Sequence, residues 1–163
     1  MMQNLQKTKG KEISNGNQRK KGDYSGVRRQ NEKMNPKQMR AVRLVDVGKL
    51  ELQKIPVPEP GPGEALIRVV RASVCNGSDG ALYSGHREIP IAYPWMVLPW
   101  TIGHECAGEI VALGPEVTGF RVGQRVASLR YGAAFADYQL VNIARDALFP
   151  LPDSLTYDEA TFI

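Results

Sequence analysis

The chain has 163 residues, 42% of them hydrophobic, and a net charge of +4, a length that fits one domain. No apolar run approaches the roughly 18 residues of a membrane span, and the N-terminus lacks the apolar core of a secretory signal. Two cysteines cannot form a disulfide framework. Composition thus argues against a membrane-spanning, secreted or disulfide-stabilised protein and predicts a reducing, cytoplasmic location.

The positive charge belongs to the N-terminal segment. Residues 1–40 hold eleven Lys or Arg against three Asp or Glu, whereas the remainder holds ten against fourteen. Residues 1–38 have almost no apolar periodicity, so we expect a disordered basic tail. Its runs Arg19–Lys21 and Arg28–Arg29 have the chemistry to contact phosphates. A solvated tail, or an extension ahead of a start at Met34, is the favoured interpretation, and a nucleic-acid partner is disfavoured.

From Met39 onward the pattern becomes that of short strands. Alternating residues predict strands at about Met39–Val45, Lys49–Lys54 and Glu64–Ala72, with a proline-rich link between the last two. Ser78 is expected to cap a short helix that ends at Gly85. Ile89–Trp100 is predicted to be an irregular loop whose tryptophans pack on the sheet or line a pocket.

The second half continues in the same way. Further strands are predicted at Glu105–Leu113, Gln124–Ser128 and Phe135–Val141, and a helix is expected to open at Asp153–Ala160 because its first turn is acidic. Many short strands with Gly and Pro turns predict a mainly β fold, either a barrel or a sandwich with short helices. No Gly-x-Gly-x-x-Gly phosphate loop occurs, so a dinucleotide-binding unit is not expected within these residues.

Two stretches carry candidate chemistry. Cys75 is followed by Ser78 and Asp79, and His104 stands beside Glu105 at the start of an apolar strand. Cys, His and carboxylate side chains are the ligands of catalytic zinc, which takes three of them and leaves one position open. A His–Glu pair alone is more often a surface or satisfied core pair, and a lone Cys is more often a small buried hydrophobe. The zinc hypothesis requires the fold to bring residues 75 and 104 together.

These blocks come in the order of a known family. Cys75 with Ser78–Asp79, then Gly103-His104-Glu105-x-x-Gly108, then Gly123–Ala127, resembles the medium-chain, zinc-dependent alcohol and polyol dehydrogenases from about Met39 to Ile163. The resemblance implies that residues 39–163 form the GroES-like catalytic barrel of such an enzyme. In that family a Rossmann domain that holds NAD or NADP follows, so the resemblance implies a C-terminally truncated domain that is inactive alone.

The resemblance also implies roles for the site residues. Cys75 and His104 would bind one catalytic zinc, and Glu105 would either bind it or exchange with water. Asp79 would orient the His104 ring, and Ser78 would pass the proton of a small alcohol or polyol substrate towards solvent. Oligomers occur in the full-length family.

Three features depart from the family pattern. Two residues, Asn76 and Gly77, separate Cys75 from the Ser-Asp pair where one is usual, and Gln124 stands where an Asp is usual. The four-cysteine lobe of the structural zinc is missing, so no second zinc is expected. Two alternatives remain open: a zinc-free reductase domain of the same superfamily, and an inert barrel that serves as a binding or scaffold module with a nucleic-acid-binding tail.

Overall fold

A computed structural model describes residues 37–85 and 96–162 of the chain. Residues 1–36 of the predicted tail and residues 86–95 of the predicted loop lie outside the described residues, so the tail stays a prediction. Gln38, the last residue of the predicted tail, belongs to the first strand.

The described residues form eight strands, one α-helix and one 3₁₀ turn. In chain order they are β1 Gln38–Asp46, β2 Lys49–Pro56, β3 Glu64–Ser73, α1 Ser78–Ser84, β4 Trp100–Thr101, β5 Glu105–Leu113, β6 Arg125–Leu129, β7 Tyr138–Asn142, β8 Ala147–Pro150 and the 3₁₀ turn Glu159–Thr161. The predicted mainly β fold class is confirmed, and the strands predicted before residue 73 lie where the alternation placed them.

The strands make two antiparallel sheets. The smaller has the order β2-β1-β4 and the larger the order β7-β3-β5-β6-β8. A bridge between Ala41 of β1 and Ala136 joins the smaller sheet to the segment that leads into β7. Strands β3 and β5 form the centre of the larger sheet, and their pairing runs from Ala65↔Leu113 to Ser73↔Glu105.

Apolar residues of the central strands form the core. Ile67, Ile110, Val126 and Val141 are fully buried together, one from each of four adjacent strands. Burial of such β-branched side chains is the main source of stability in a sheet of this kind. The close approach of β3 and β5 depends on Gly108, since a Cβ there would stand closer than 3.0 Å to the Arg68 carbonyl oxygen.

Three local predictions were wrong in detail. Gly77, not Ser78, is the residue before α1, and no side chain caps that helix. Trp100 belongs to β4, where it pairs with Leu44 of β1, and is not part of a loop. In place of the helix predicted from Asp153, the chain makes a turn and then the three-residue 3₁₀ turn that begins at Glu159.

The structure gives a physical reason for the last difference. The Leu155 amide donates to the Pro152 carbonyl, which closes a turn before any helix begins. The side chains of Thr156 and Glu159 then bond each other's backbone amides, at 3.2 and 2.9 Å. This reciprocal arrangement has the pattern of a capping box, and it fixes the turn that leads into the 3₁₀ segment at Glu159.

The helical segments of residues 37–85 and 96–162 are all too short to span a membrane.

Candidate metal centre

The fold brings the three predicted metal ligands together. One donor atom each from Cys75, His104 and Glu105 lies within 4.8 Å of the others. The reason is the register of β3 and β5, in which Ser73, the last residue of β3, pairs with Glu105, the first residue of β5. Cys75 follows the end of β3 by two residues and His104 precedes β5 by one, so both emerge at the same end of this strand pair.

The donor set fits a zinc ion. Zinc–sulfur and zinc–nitrogen bonds of about 2.3 and 2.1 Å at a tetrahedral angle separate two ligand atoms by about 3.6 Å. The three donor atoms therefore need to approach one another by only roughly 1 Å to bind one ion. His104 Nε2 and Glu105 Oε1 are already 3.5 Å apart. A thiol, an imidazole and a carboxylate also have the chemistry that zinc accepts.

Asp79 orients the imidazole. Its Oδ1 lies 3.2 Å from His104 Nδ1, and both side chains are buried, at 3% and 8% exposure. A carboxylate oxygen accepts hydrogen bonds only, so in a neutral imidazole this closer contact favours the tautomer with its proton on Nδ1. The lone pair of Nε2 then faces Glu105 and the centre of the cluster, which is the tautomer that a metal requires.

The extra residue between Cys75 and the Ser-Asp pair is accommodated by a helical turn. The Asp79 amide donates to the Cys75 carbonyl at 3.0 Å, and the Ala81 amide donates to the Gly77 carbonyl at 3.1 Å. This turn folds Asp79 back towards Cys75, whose own amide donates to Asp79 Oδ2 at 3.0 Å. The insertion of Asn76 therefore does not displace Asp79 from His104.

Ser78 lies beside the imidazole of His104. Its hydroxyl oxygen is 3.2 Å from His104 Nε2 and 3.5 Å from Nδ1. Hydrogen bonds from the Ser78 side chain and amide lower the pKa of the Cys75 thiol below its ordinary value. A thiol that ionises more readily is a better metal ligand, because zinc binds the thiolate.

Two features of the site had no counterpart in the sequence prediction. The Tyr131 ring stacks on His104 with 5.6 Å between the ring centroids and an angle of 27° between the rings. The Ser73 hydroxyl lies 2.7 Å from Glu105 Oε2. A hydroxyl two residues before the candidate Cys and an aromatic two residues after a strand were the available signals, but neither indicates a role until the strand register places it in the site.

The second cysteine takes no part in the cluster. Cys106 is buried, and its thiol donates to Gln139 Oε1 at 3.2 Å. Burial raises the pKa of Cys106 to about 12. Because side chains alternate along β5, Cys106 and its neighbour Glu105 point to opposite faces of the sheet.

Comparisons with known proteins agree with this architecture. The chain is 32% identical over 156 residues to a sorbitol dehydrogenase of Bacillus subtilis, an alignment that covers 78% of this chain and 42% of that protein. Among solved structures, 2R,3R-butanediol dehydrogenase from Bacillus subtilis superposes with a TM-score of 0.66 at 27% identity, covering 76% of this chain and 43% of that one. A quinone oxidoreductase from Pseudomonas syringae gives 0.65 at 31% identity, covering 76% and 36%.

The first curated relatives are all longer than the matched part. The chain spans 42% of the Bacillus subtilis sorbitol dehydrogenase and 21% to 26% of other dehydrogenases that it matches. The family profile described as the alcohol dehydrogenase GroES-like domain matches residues 61–153, more than half of the chain, and includes Cys75, His104 and Glu105. The chain therefore belongs to the alcohol dehydrogenase GroES-like domain family.

Proposed function

We propose that this chain is the zinc-binding catalytic domain of an NAD- or NADP-dependent alcohol or polyol dehydrogenase. Such an enzyme oxidises an alcohol to a ketone or aldehyde by hydride transfer. The observation that carries the proposal is the convergence of the Cys75, His104 and Glu105 donor atoms within 4.8 Å, beside the buried Asp79, whose Oδ1 lies 3.2 Å from His104 Nδ1. The sorbitol and butanediol dehydrogenases among the relatives support a small alcohol or polyol as substrate.

Each residue then has a defined task. Cys75 would bind as a thiolate and His104 through Nε2, while Glu105 supplies the third ligand or yields its place to water. When bound, the zinc supplies Lewis-acid stabilisation of the negative charge that develops on the substrate oxygen. Ser78, with its hydroxyl beside His104, accepts the proton that leaves the substrate hydroxyl while it releases its own proton towards solvent.

The hydride acceptor would be held elsewhere. None of the 163 residues forms the Gly-x-Gly-x-x-Gly loop that approaches a dinucleotide pyrophosphate. We therefore propose that NAD or NADP binds to a separate domain and that this chain alone binds zinc without turning over alcohols. Turnover of sorbitol or 2,3-butanediol by the 163-residue chain with zinc and either nucleotide would contradict this part of the proposal.

Metal analysis tests the central claim. The purified chain is stripped with a chelator, reconstituted with zinc, desalted and measured by inductively coupled plasma mass spectrometry. We expect about one zinc per wild-type chain and near-complete loss in Cys75→Ala and His104→Ala. Cys106→Ala is the matched control, since it removes the other thiol and should retain zinc. A wild-type chain that retains no zinc would contradict the proposal.

The zinc-free reductase is the second candidate, and the likeness to a quinone oxidoreductase favours it. It predicts no retained zinc and no effect of Cys75→Ala on ligand binding, so the same measurement separates the two. The scaffold alternative predicts salt-dependent binding of DNA or RNA that disappears when residues 1–36 are deleted.

A further inference from the structure

We propose that Ser73 is a positioning residue for the Glu105 carboxylate, holding one of its oxygens so that the other faces the metal centre. The inference rests on the proposed function, because it concerns a ligand of the same centre. Ser73 is part of neither the Cys-x-x-Ser-Asp nor the Gly-His-Glu block, and its role follows only from the pairing of β3 with β5.

The contact geometry divides the two carboxylate oxygens between two tasks. Ser73 and Glu105 are direct partners in the β3–β5 register, so their side chains lie on the same face of the sheet. The Ser73 hydroxyl is 2.7 Å from Glu105 Oε2, while Oε1 lies 3.5 Å from His104 Nε2. A carboxylate fixed at one oxygen loses rotational freedom before the metal binds, which lowers the entropy cost of ligation.

A second acceptor keeps the serine aimed at the site. The Thr161 carbonyl oxygen in the 3₁₀ turn is 2.8 Å from the same hydroxyl. The hydroxyl has one proton and can donate to only one acceptor at a time. The charged carboxylate makes the stronger hydrogen bond and takes the proton while it faces the centre. When water displaces Glu105 and its carboxylate moves away, the Ser73 hydroxyl donates to the Thr161 carbonyl instead. Ser73 therefore keeps its orientation whether or not Glu105 faces the centre.

A change of Ser73 to Ala removes this contact without altering the backbone pairing of β3. The test measures the zinc dissociation constant of the 163-residue chain by competition with a chromophoric chelator. We expect Ser73→Ala to weaken zinc binding by about 10-fold or more, in the range typical of residues that orient a ligand. Ser73→Thr keeps the hydroxyl and should bind zinc like the wild type. Ser84→Ala, an exposed serine at the end of α1, is the matched control and should change nothing.

A double-mutant cycle separates positioning from general destabilisation. If Ser73 acts through Glu105, Ser73→Ala has no further effect on zinc affinity in a Glu105→Ala background. Ser73→Gly is a second hydroxyl-free variant, and the melting temperature of each variant confirms folding. Unchanged zinc affinity in Ser73→Ala, or an equal loss in both backgrounds, would overturn this inference alone. A wild-type chain that takes up no zinc would overturn both the inference and the proposed function.

Discussion

Asp79 and Cys75 exchange hydrogen bonds in both directions. The Asp79 amide donates to the Cys75 carbonyl, and the Cys75 amide donates to Asp79 Oδ2, each at 3.0 Å. The other oxygen of the same carboxylate contacts His104 Nδ1. One buried carboxylate therefore fixes the backbone of one candidate ligand and the ring of another, which makes Asp79 the link between the two sequence blocks.

Replacement of Asp79 by Asn should weaken zinc binding by about 10- to 100-fold. An amide has one acceptor oxygen where the carboxylate has two, so it cannot serve both the Cys75 amide and His104 Nδ1. Chelator competition measures the effect. Asp153→Asn removes the same charge at an exposed position and serves as the control. Wild-type affinity in Asp79→Asn would show that His104 is oriented by other contacts.

The two cysteines should differ sharply in reactivity. In the zinc-free chain, iodoacetamide should modify Cys75 in the native state and reach Cys106 only after unfolding, since Cys106 is buried and its pKa is raised to about 12. The rate at Cys75 should rise with pH as the thiolate forms and then level off, and the midpoint of this rise should lie at a lower pH than for an ordinary thiol, because Ser78 lowers the pKa of Cys75.

Peptide mass spectrometry over a pH series checks this prediction. Ser78→Ala should move the levelling-off to higher pH, because it removes the side-chain hydrogen bond to the sulfur, while added zinc should suppress the reaction. Comparable labelling of both cysteines in the native state would contradict the assigned burial of Cys106.

Glu109 should make stability depend on pH. Its carboxylate accepts hydrogen bonds from Arg68 at 2.6 Å and from the Tyr157 hydroxyl at 3.1 Å, and the Arg68 contact is the main reason that the pKa of Glu109 is lowered. A lowered pKa in the folded state stabilises the protein above the unfolded pKa, and this stabilisation is lost as the pH falls through the folded value.

Glu109→Gln should therefore lower the melting temperature at pH 7 and flatten its decline in acid. The loss should be only about 0.2–1 kcal/mol and should shrink in high salt, because the Arg68 and Glu109 side chains are 47% and 35% exposed. Glu59→Gln, at an exposed carboxylate outside this cluster, is the control. Equal effects of the two substitutions would argue against a role for the Arg68 contact.

Two Gly→Ala substitutions should have opposite effects on stability. At Gly108 the new Cβ would stand closer than 3.0 Å to the Arg68 carbonyl, so β3 and β5 must move apart at a cost of about 1–3 kcal/mol or more. At Gly80, inside α1, the Cβ meets only Asn76 Oδ1 at 3.9 Å, and we expect a gain of about 0.5–1 kcal/mol. Urea midpoints measure both, and a tolerated Gly108→Ala would contradict the tight packing.

The sequence alone supported most of the sheet and the composition of the site. Alternating apolar residues predicted β1, β3 and β5 because each of these strands has several buried residues, and they predicted β2, whose residues alternate between exposed and half-buried. Cys75 and His104 could be proposed as partners from their residue types and flanking glycines. Their meeting depends on the register of β3 with β5, and no local pattern encodes which residue of one strand faces which residue of another.

Most of what was missed followed from interactions between distant residues. Strand β8 has only four residues and no full alternation, so it becomes a strand only by pairing with β6. Ser73 and Tyr131 acquire a role from residues 32 and 27 positions away. The helix expected at Asp153 failed for a local reason that was readable: Thr156 and Glu159 have the spacing of a capping box.

The opposite orientation of Cys106 and Glu105 on β5 limits the covalent chemistry of the chain. Cys106 is buried and bonded to Gln139, so of the two thiols in the chain only that of Cys75 is accessible, and it lies in the candidate metal centre. A molecule with one accessible thiol can form only one intermolecular disulfide. Oxidation of the native, metal-free chain can therefore link two copies through Cys75 and can extend no further, so the expected product on a non-reducing gel is a dimer without a ladder above it.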